Sequence, residues 1–444
     1  MSTYDHYVSP VPSGTWDVPA AGASRFSWEY DEGRSRLLDL YQRGKDKQWD
    51  AAKRIDWEIP VDPNNVMEQS DEFCPIYGSR QWDILSEKER GEVGHHLTAW
   101  LFSQFLHGEQ GALTVAARIV QSVPDMDSKF YAATQAMDEA RHVELFARFM
   151  REKIGTHYPV NPDLANLLAD ALSDSRWDMP YLGMQVLIEG LALAAFGVHR
   201  DMANNALVKQ LLAYVMQDEA RHVAFGRLAL RDYYKELTAA ERADREEFIV
   251  EGCYLMRNRF AAREVWEHMG FDVAECIEFT ENSPIQQAFR TLLFSRIVPC
   301  VKDIGLWGPK VRHAYTDLGV IDAAQSDLDA LMRDRFSGKE VYERMGFDVA
   351  ECLEFTENSP VQQAFRKLLF SRIVPCVKDI GLWGPKVQHA YIDLGVLDAA
   401  DTDLDALMRQ DEEIAEKVDA DKYAAELAAR ESEVTAAISL GAER

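Results

Sequence analysis

Hydrophobic residues recur at helical spacing along almost the whole chain from Trp28 onward. Apolar positions lie three and four residues apart, and no stretch shows sustained alternation of the β-branched kind. This pattern predicts an all-α protein. Its four longest segments predict helices at residues 87–123, 127–154, 180–200 and 205–236, and a further helix is predicted from Leu38 to Trp57.

Local signals mark the ends of several of these helices. Ser86 followed by Glu89, and Thr238 followed by Glu241, have the spacing of capping boxes, in which each side chain bonds to the backbone of the other residue. Gly155 is expected to stop the second long helix, because glycine readily adopts the left-handed conformation of a helix end.

The C-terminal part of the sequence contains a tandem duplication. Residues 265–333 recur 76 positions later as residues 341–409, with ten differences. Two copies fall short of the three or more that a solenoid needs, so we interpret the repeat as a duplicated accessory region. The chain is predicted to comprise an extended arm (1–27), a helical bundle (28–250), a C-terminal helical unit (251–336), its duplicate (337–409) and an acidic tail rich in Ala and Glu (410–444).

The chain is acidic, with a formal net charge of −26. A nucleic acid or an anionic membrane surface is therefore an unfavourable partner, and we expect neither. The N-terminus lacks the segments of a secretory signal, and we expect no apolar run of the ~18–20 residues that span a membrane. The six cysteines have no metal-binding spacing. These features predict a cytoplasmic protein with inert thiols.

Candidate chemistry lies in the hexapeptide Asp-Glu-Ala-Arg-His-Val, which occurs at residues 138–143 and again at 218–223. Each copy contains Glu-x-x-His. On a helix this spacing puts a carboxylate and an imidazole on one face, about 4.5 Å apart along the axis, where they can bind one metal ion. The two pairs are Glu139 with His142 and Glu219 with His222.

Each pair follows another glutamate by thirty residues, since Glu109 precedes Glu139 and Glu189 precedes Glu219. Glu189 interrupts an otherwise apolar run. A lone buried carboxylate is costly, so it should have a metal ion or a charged partner. The sequence predicts a dinuclear metal site between four helices, with the ligands Glu109, Glu139, His142, Glu189, Glu219 and His222.

This pattern resembles the ferritin-like di-iron carboxylate superfamily, which includes bacterial multicomponent monooxygenases, ribonucleotide reductase small subunits, related ligand-binding oxidases and acyl-carrier desaturases. The resemblance covers about residues 90–236. It implies a ferritin-like four-helix bundle, extended here by the C-terminal helical region with its tandem duplication. The implied cofactor is two iron ions, or a manganese–iron pair.

The resemblance also assigns roles to individual residues. One metal ion would be held by Glu109, Glu139 and His142, and the other by Glu189, Glu219 and His222. Glu139 and Glu219 would bridge the two ions. Four residues would support the ligands from outside, with carboxylates orienting the imidazoles and arginines pairing with those carboxylates, namely Asp138, Arg141, Asp218 and Arg221.

The implied function is an O2-activating oxidase or monooxygenase acting on a small organic or carrier-bound substrate. We expect an external electron donor and a homodimer. Two alternatives are iron oxidation and storage of the ferritin type, and a radical-generating subunit like that of ribonucleotide reductase. Storage ferritins are much shorter chains than this one.

Individual positions bear on membership within the superfamily. Phe146 occupies the position of the radical tyrosine of ribonucleotide reductase, which excludes a tyrosyl radical there. Arylamine N-oxygenases carry an additional histidine where this chain has Val215, whose counterpart before the first motif is Gln135. Multicomponent hydroxylases carry a threonine at the position of Leu193. These differences argue against each of the three specific activities.

Overall fold

The structure, a computed structural model, describes residues 6–9, 24–27, 30 and 33–321. The predicted duplicate unit and the acidic tail lie outside the described residues. Within them the α-helices are α1 (Ser35–Asp46), α2 (Ala51–Arg54), α3 (Arg80–Asp83), α4 (Glu87–Ser122), α5 (Met126–Phe149), α6 (Pro162–Ser173), α7 (Met179–Tyr181), α8 (Glu189–Met202), α9 (Ala206–Tyr233), α10 (Ala239–Arg259), α11 (Arg263–Met269), α12 (Val273–Asn282), α13 (Pro284–Asp303) and α14 (Pro309–Asp317).

Two helical hairpins form a four-helix bundle. Helix α4 packs along α5, and α8 packs along α9, while α5 and α9 face each other across the centre. Helix α1 lies against both α5 and α9, and α10 and α13 cover the hairpin that contains α8. The all-α class and the ferritin-like bundle are therefore confirmed. Helix α10 continues across the boundary that the sequence predicts at residue 250.

Both predicted capping boxes are present. The Ser86 hydroxyl accepts from the backbone of Glu89 at 3.3 Å, and the Glu89 carboxylate accepts from the backbone of Ser86 at 2.8 Å. Thr238 and Glu241 repeat this arrangement at the start of α10. Gly155 has φ +81° and ends a short π-helical segment, Met150–Ile154, that continues α5.

Two predicted helices prove to be interrupted. The helix predicted from Leu38 to Trp57 is divided into α1 and α2, with Trp49 buried in the break. The helix predicted at residues 180–200 contains a π-helical segment, Leu182–Ile188, directly before Glu189. Such segments are rare in proteins overall, but those that occur are often found at functional sites. Here the irregular backbone ends where a predicted ligand begins.

The stretch Met179–Met202 is long and apolar enough to cross a membrane by length and composition. The expectation that no such stretch exists was therefore wrong. However, 72% of its apolar window is buried inside the protein, as in the core helix of a globular protein. Its apolar residues are explained by packing within the bundle.

Three histidines make the stability of the fold dependent on pH. Burial lowers the pKa of His96, His157 and His199 to about 4. The unfolded chain binds protons at these histidines near pH 6.5, whereas the folded chain binds them only near pH 4. Their effect on the free energy of unfolding is therefore absent above pH 6.5, and the free energy of unfolding falls as the pH drops toward 4. We expect His157→Gln to reduce the slope of the unfolding free energy against pH by at most about 1.4 kcal/mol per pH unit. Urea unfolding between pH 4 and 7 measures the difference, and parallel curves for the two proteins would contradict it.

Candidate metal centre

The structure brings the six predicted ligands together from four helices. Glu109 lies on α4, Glu139 and His142 lie on α5, Glu189 is the first residue of α8, and Glu219 and His222 lie on α9. All six are at most 5% exposed. Four carboxylates in so small a buried volume would repel one another strongly, so a cation is needed among them.

Two carboxylates each lie between the two imidazoles. The oxygens of Glu139 lie 3.3 Å from His142 Nδ1 and 3.1 Å from His222 Nδ1. Those of Glu219 lie 3.2 Å from His142 Nδ1 and 3.6 Å from His222 Nδ1. A carboxylate that presents one oxygen to each imidazole is placed to bridge two metal ions.

The donor atoms form two groups, within each of which all atoms lie within 4.8 Å of one another. One group is Glu109, Glu139, His142 and Glu219, and the other is Glu139, Glu189 and His222. Glu139 belongs to both. The family resemblance implied that Glu219 binds the same ion as Glu189 and His222, whereas the closer imidazole contact of Glu219 is with His142. A bridging role for Glu219 is compatible with both arrangements.

Several of the proposed ligand atoms lie close to other donor atoms of the cluster but make no hydrogen bond of good geometry with the described residues. They are Glu139 Oε2, Glu189 Oε2, both carboxylate oxygens of Glu219, and His222 Nδ1. Buried polar atoms are otherwise almost always paired. Mixed carboxylate and imidazole donors suit iron(II) or manganese(II). The residues present therefore fit a dinuclear metal cofactor.

The imidazole of each proposed ligand histidine lies against the aspartate of the opposite helix. His142 Nε2 lies 3.1 Å from Asp218, and His222 Nε2 lies 3.3 Å from Asp138. Sequence proximity could not reveal this crossed pairing. An imidazole that donates from Nε2 to a carboxylate keeps the Nδ1 lone pair free for a metal ion.

The two aspartates are in turn held by buried donors. Arg141 contacts both Asp138 and, at 3.1 Å, Asp218, and Arg221 contacts Asp218. Burial would raise the pKa of Asp218, but the charge of Arg221 and the bond to His142 hold it well below its usual range. The indole of Trp49 also donates to Asp218 at 2.8 Å. Gln48 donates to Asp138 at 2.8 Å, so the break between α1 and α2 contributes to the site.

Gln135 is a site residue whose role the sequence did not reveal. Its amide donates to Glu139 at 3.0 Å and to Glu189 at 2.7 Å, and its carbonyl accepts from Gln185 at 3.2 Å. The only sequence signal was its position one turn before Glu139. Val215, at the corresponding position of α9, is fully buried and has no ligating atom.

Protons and metal ions compete for the buried donor atoms of this cluster. Burial raises the pKa of Glu109 and Glu189 well above that of an ordinary carboxyl. Burial opposes the charged form of His142 as well, but the charge of Glu109 and the bonds to Asp218, Glu109 and Glu139 together raise the imidazole pKa. Metal ions bind deprotonated ligands, so loading must release protons.

The metal centre opens onto a cavity of about 910 Å³. Its inner end is lined by three of the proposed ligands, Glu109, Glu189 and Glu219. Most of the surrounding wall is apolar, and small residues near the ligands, Gly108, Ala112 and Ala192, leave room. The cavity is large enough for a small organic molecule beside the metal ions.

Comparison with known proteins places the chain in a family. Residues 31–305 match the family described as P-aminobenzoate N-oxygenase AurF. Since this match spans more than half of the chain, the protein belongs to that family. It is a di-iron oxidoreductase that uses O2. The resemblance to the ferritin-like di-iron superfamily is thereby confirmed.

Solved structures with a similar fold include R2-like ligand-binding oxidases. One, with an aerobically reconstituted metal cofactor after photoconversion, is 16% identical, and the match covers 63% of this chain and 99% of that chain at a TM-score of 0.40. A variant with an anaerobically reconstituted Mn/Fe cofactor is 18% identical, with 61% and 93% covered at a TM-score of 0.39. No curated protein matches the chain.

Proposed function

We propose that the protein is a monooxygenase that transfers one oxygen atom of O2 to an organic substrate bound in the 910 Å³ cavity. The second oxygen atom leaves as water, with two electrons and two protons from an external donor. The observation that carries this proposal is that Glu109, Glu189 and Glu219 belong to both the metal-binding groups and the cavity wall. A substrate in this cavity therefore lies against the metal ligands.

The metal ligands in this proposal are the six residues Glu109, Glu139, His142, Glu189, Glu219 and His222. The two metal ions supply O2 reduction, and iron in both positions is the assignment we favour over manganese–iron. Asp138 and Asp218 hold the imidazoles by accepting their Nε2 protons. Gln135 fixes the carboxylates of Glu139 and Glu189, and the apolar wall excludes water from the substrate.

An amine nitrogen is the first reacting group to test, because the matching family is described as an N-oxygenase. Val215 stands at the position where arylamine N-oxygenases carry an additional histidine. The chain would therefore perform this reaction with six protein ligands. Iron storage is disfavoured by the apolar substrate cavity beside the centre.

The experiment combines metal analysis with product analysis. After anaerobic loading with Fe(II), we expect two irons per chain, and O2 consumption should increase with a panel of aryl and alkyl amines that yield oxygenated products. Hundreds of irons per assembly without product would indicate storage and overturn the proposal. An external reductant and a homodimer also remain predictions, tested by reductant-dependent turnover and by molar mass in solution.

Ala192→Phe should separate substrate binding from metal binding. Ala192 lines the cavity one turn after Glu189, so a phenyl ring there would occupy substrate space. We expect unchanged iron content and product formation reduced roughly tenfold or more. Ala117→Phe, at an exposed position of α4, is the control and should leave both unchanged. Equal product formation by the two variants would show that the substrate does not use this cavity.

A further inference from the structure

Two buried glutamine side chains lie next to the metal centre without belonging to the proposed ligand set. Gln135 on α5 and Gln185 in the π-helical segment before α8 are both fully buried. Gln185 donates from Nε2 to Gln135 Oε1 at 3.2 Å. Gln135 donates from Nε2 to one oxygen of Glu139 at 3.0 Å and to one oxygen of Glu189 at 2.7 Å. The two amides therefore form a chain that ends on two proposed metal ligands.

The chemistry of these groups fixes the direction of the chain. A carboxylate that binds a metal ion offers only acceptors, so the NH2 group of Gln135 must face Glu139 and Glu189. Its Oε1 then faces Gln185, whose NH2 group is the donor in that contact. Both N–H bonds of Gln135 Nε2 are thus directed at carboxylates, and hydrogen bonds to charged acceptors are stronger than those between neutral groups.

These hydrogen bonds distinguish the two oxygens of Glu189. Oε1 accepts from Gln135, whereas Oε2 is buried and makes no hydrogen bond of good geometry with the described residues. Glu189 shares a group of donor atoms with Glu139 and His222. Turning Oε1 toward an ion beside His222 would stretch its 2.7 Å bond to Gln135. Oε2 is therefore the oxygen left for that ion.

The place of Gln185 depends on a glycine of the opposite helix. A Cβ atom at Gly226 would lie 2.4 Å from the Cβ atom and 3.4 Å from the Cγ atom of Gln185. Gly226 lies on α9, four residues after His222. The missing side chain at Gly226 therefore leaves the space from which Gln185 reaches Gln135.

The other half of the site is built differently. Val215 on α9 occupies the position that corresponds to Gln135 on α5, and its apolar side chain cannot donate a hydrogen bond. The Glu109 carboxylate lies against an imidazole instead, 3.2 Å from His142 Nδ1. The two ions would thus differ in how their outer carboxylates, Glu109 and Glu189, are held.

We infer that Gln135 and Gln185 are positioning residues of the metal centre. They hold Glu189 Oε1 away from the ion beside His222, so that Glu189 binds this ion through Oε2 alone and leaves one of its coordination positions open for O2. Gly226 provides the space that Gln185 needs. The inference concerns how the metal is held and needs no turnover, so it does not rest on the proposed monooxygenase reaction.

Infrared spectroscopy tests the binding mode of Glu189 directly. The difference spectrum between Fe(II)-loaded and metal-free protein is recorded without O2, with 13C-labelled glutamate side chains. The antisymmetric and symmetric stretches are widely separated for a carboxylate bound through one oxygen and closer for one bound through both. Gln135→Met removes both donors at similar side-chain length, and should shift intensity from the wide to the narrow separation. An unchanged difference spectrum would overturn the inference.

Chelator competition gives the Fe(II) affinity of the same proteins. We expect Gln135→Met to weaken binding roughly 10- to 100-fold, because two ligand carboxylates lose their orienting donor. Gln104→Met is the matched control, since Gln104 is 1% exposed and its amide bonds to the backbone of Pro159 and Asn161. It should lower stability but leave the Fe(II) affinity and the infrared spectrum unchanged. Equal Fe(II) affinities for the two variants would also contradict the role of Gln135.

Gly226→Ala tests the place of Gln185 without removing a hydrogen-bonding group. The added methyl group must displace Gln185, so we expect the infrared change and the weaker Fe(II) binding of Gln135→Met. Gly108→Ala is the control, because a Cβ atom next to Glu109 would meet no heavy atom of a neighbouring described element within 4 Å. Original Fe(II) binding by both alanine variants would overturn the role of Gln185. If Gly226→Ala does not fold, Gln185→Met decides the same point.

Discussion

Replacing Glu139 with alanine should reduce the iron content from two ions per chain to fewer than one and abolish O2 consumption. Glu139 is the residue shared by both groups of donor atoms, with one oxygen facing each imidazole. Its removal takes a ligand from both ions at once, whereas the loss of Glu109 or Glu189 affects one group. Metal analysis after anaerobic Fe(II) loading and desalting gives the stoichiometry.

The matched control for this variant is Glu144→Ala. Glu144 lies on the same helix but is exposed, and it belongs to neither group of donor atoms. The control should bind two irons and consume O2 at the original rate. Circular dichroism checks that both variants keep their helices. A Glu139→Ala protein that retains two irons would show that the ions do not share this carboxylate.

Asp218→Asn should have the second-largest effect, although Asp218 contacts no proposed metal site directly. Its carboxylate forms ion pairs with Arg141 and Arg221 and accepts a hydrogen bond from the Trp49 indole. It also lies 3.1 Å from His142 Nε2. The amide removes the charge that pairs with two buried guanidiniums, so we expect a loss of about 3–5 kcal/mol in unfolding free energy. Because the neutral amide oxygen is a weaker acceptor than the carboxylate for the Nε2 proton of His142, iron affinity should fall about 10- to 100-fold.

Urea unfolding and competition with a chelator measure these two effects separately. Asp232→Asn, an exposed aspartate pairing with Lys235 near the end of the same helix, is the control and should change stability by less than about 1 kcal/mol. Normal stability and normal iron affinity in Asp218→Asn would contradict the role assigned to the crossed aspartate–histidine pairs. Normal affinity with reduced stability would restrict Asp218 to supporting the fold.

The main helices and the candidate ligand residues were predictable because local rules determine them. The spacing of Glu139 and His142 puts both on one face of any helix. Burying the isolated carboxylate of Glu189 within an apolar run costs free energy unless a metal ion or a charged partner lies beside it. The capping residues Ser86 and Thr238 act within a single turn, so their effect was also readable from the sequence.

The remaining features depend on contacts between distant segments. The pairing of His142 with Asp218 joins two helices whose rotation about their axes is set by packing. Regular helical hydrogen bonds are interrupted at the break that buries Trp49 and in the π-helical segment before Glu189. Tertiary contacts determine both irregularities, so local sequence rules do not predict them. Gln135 has no distinctive pattern in the sequence, and only its two carboxylate contacts identify it.

The central claim is that two metal ions share the carboxylates of Glu139 and Glu219 between two buried imidazoles. Anomalous diffraction at the iron edge, from crystals loaded with Fe(II) in the absence of O2, tests it most directly. We expect two peaks about 3.5–4 Å apart, with His142 next to one, His222 next to the other, and both carboxylates between them. A single peak, or two peaks that do not share Glu139, would contradict the dinuclear centre.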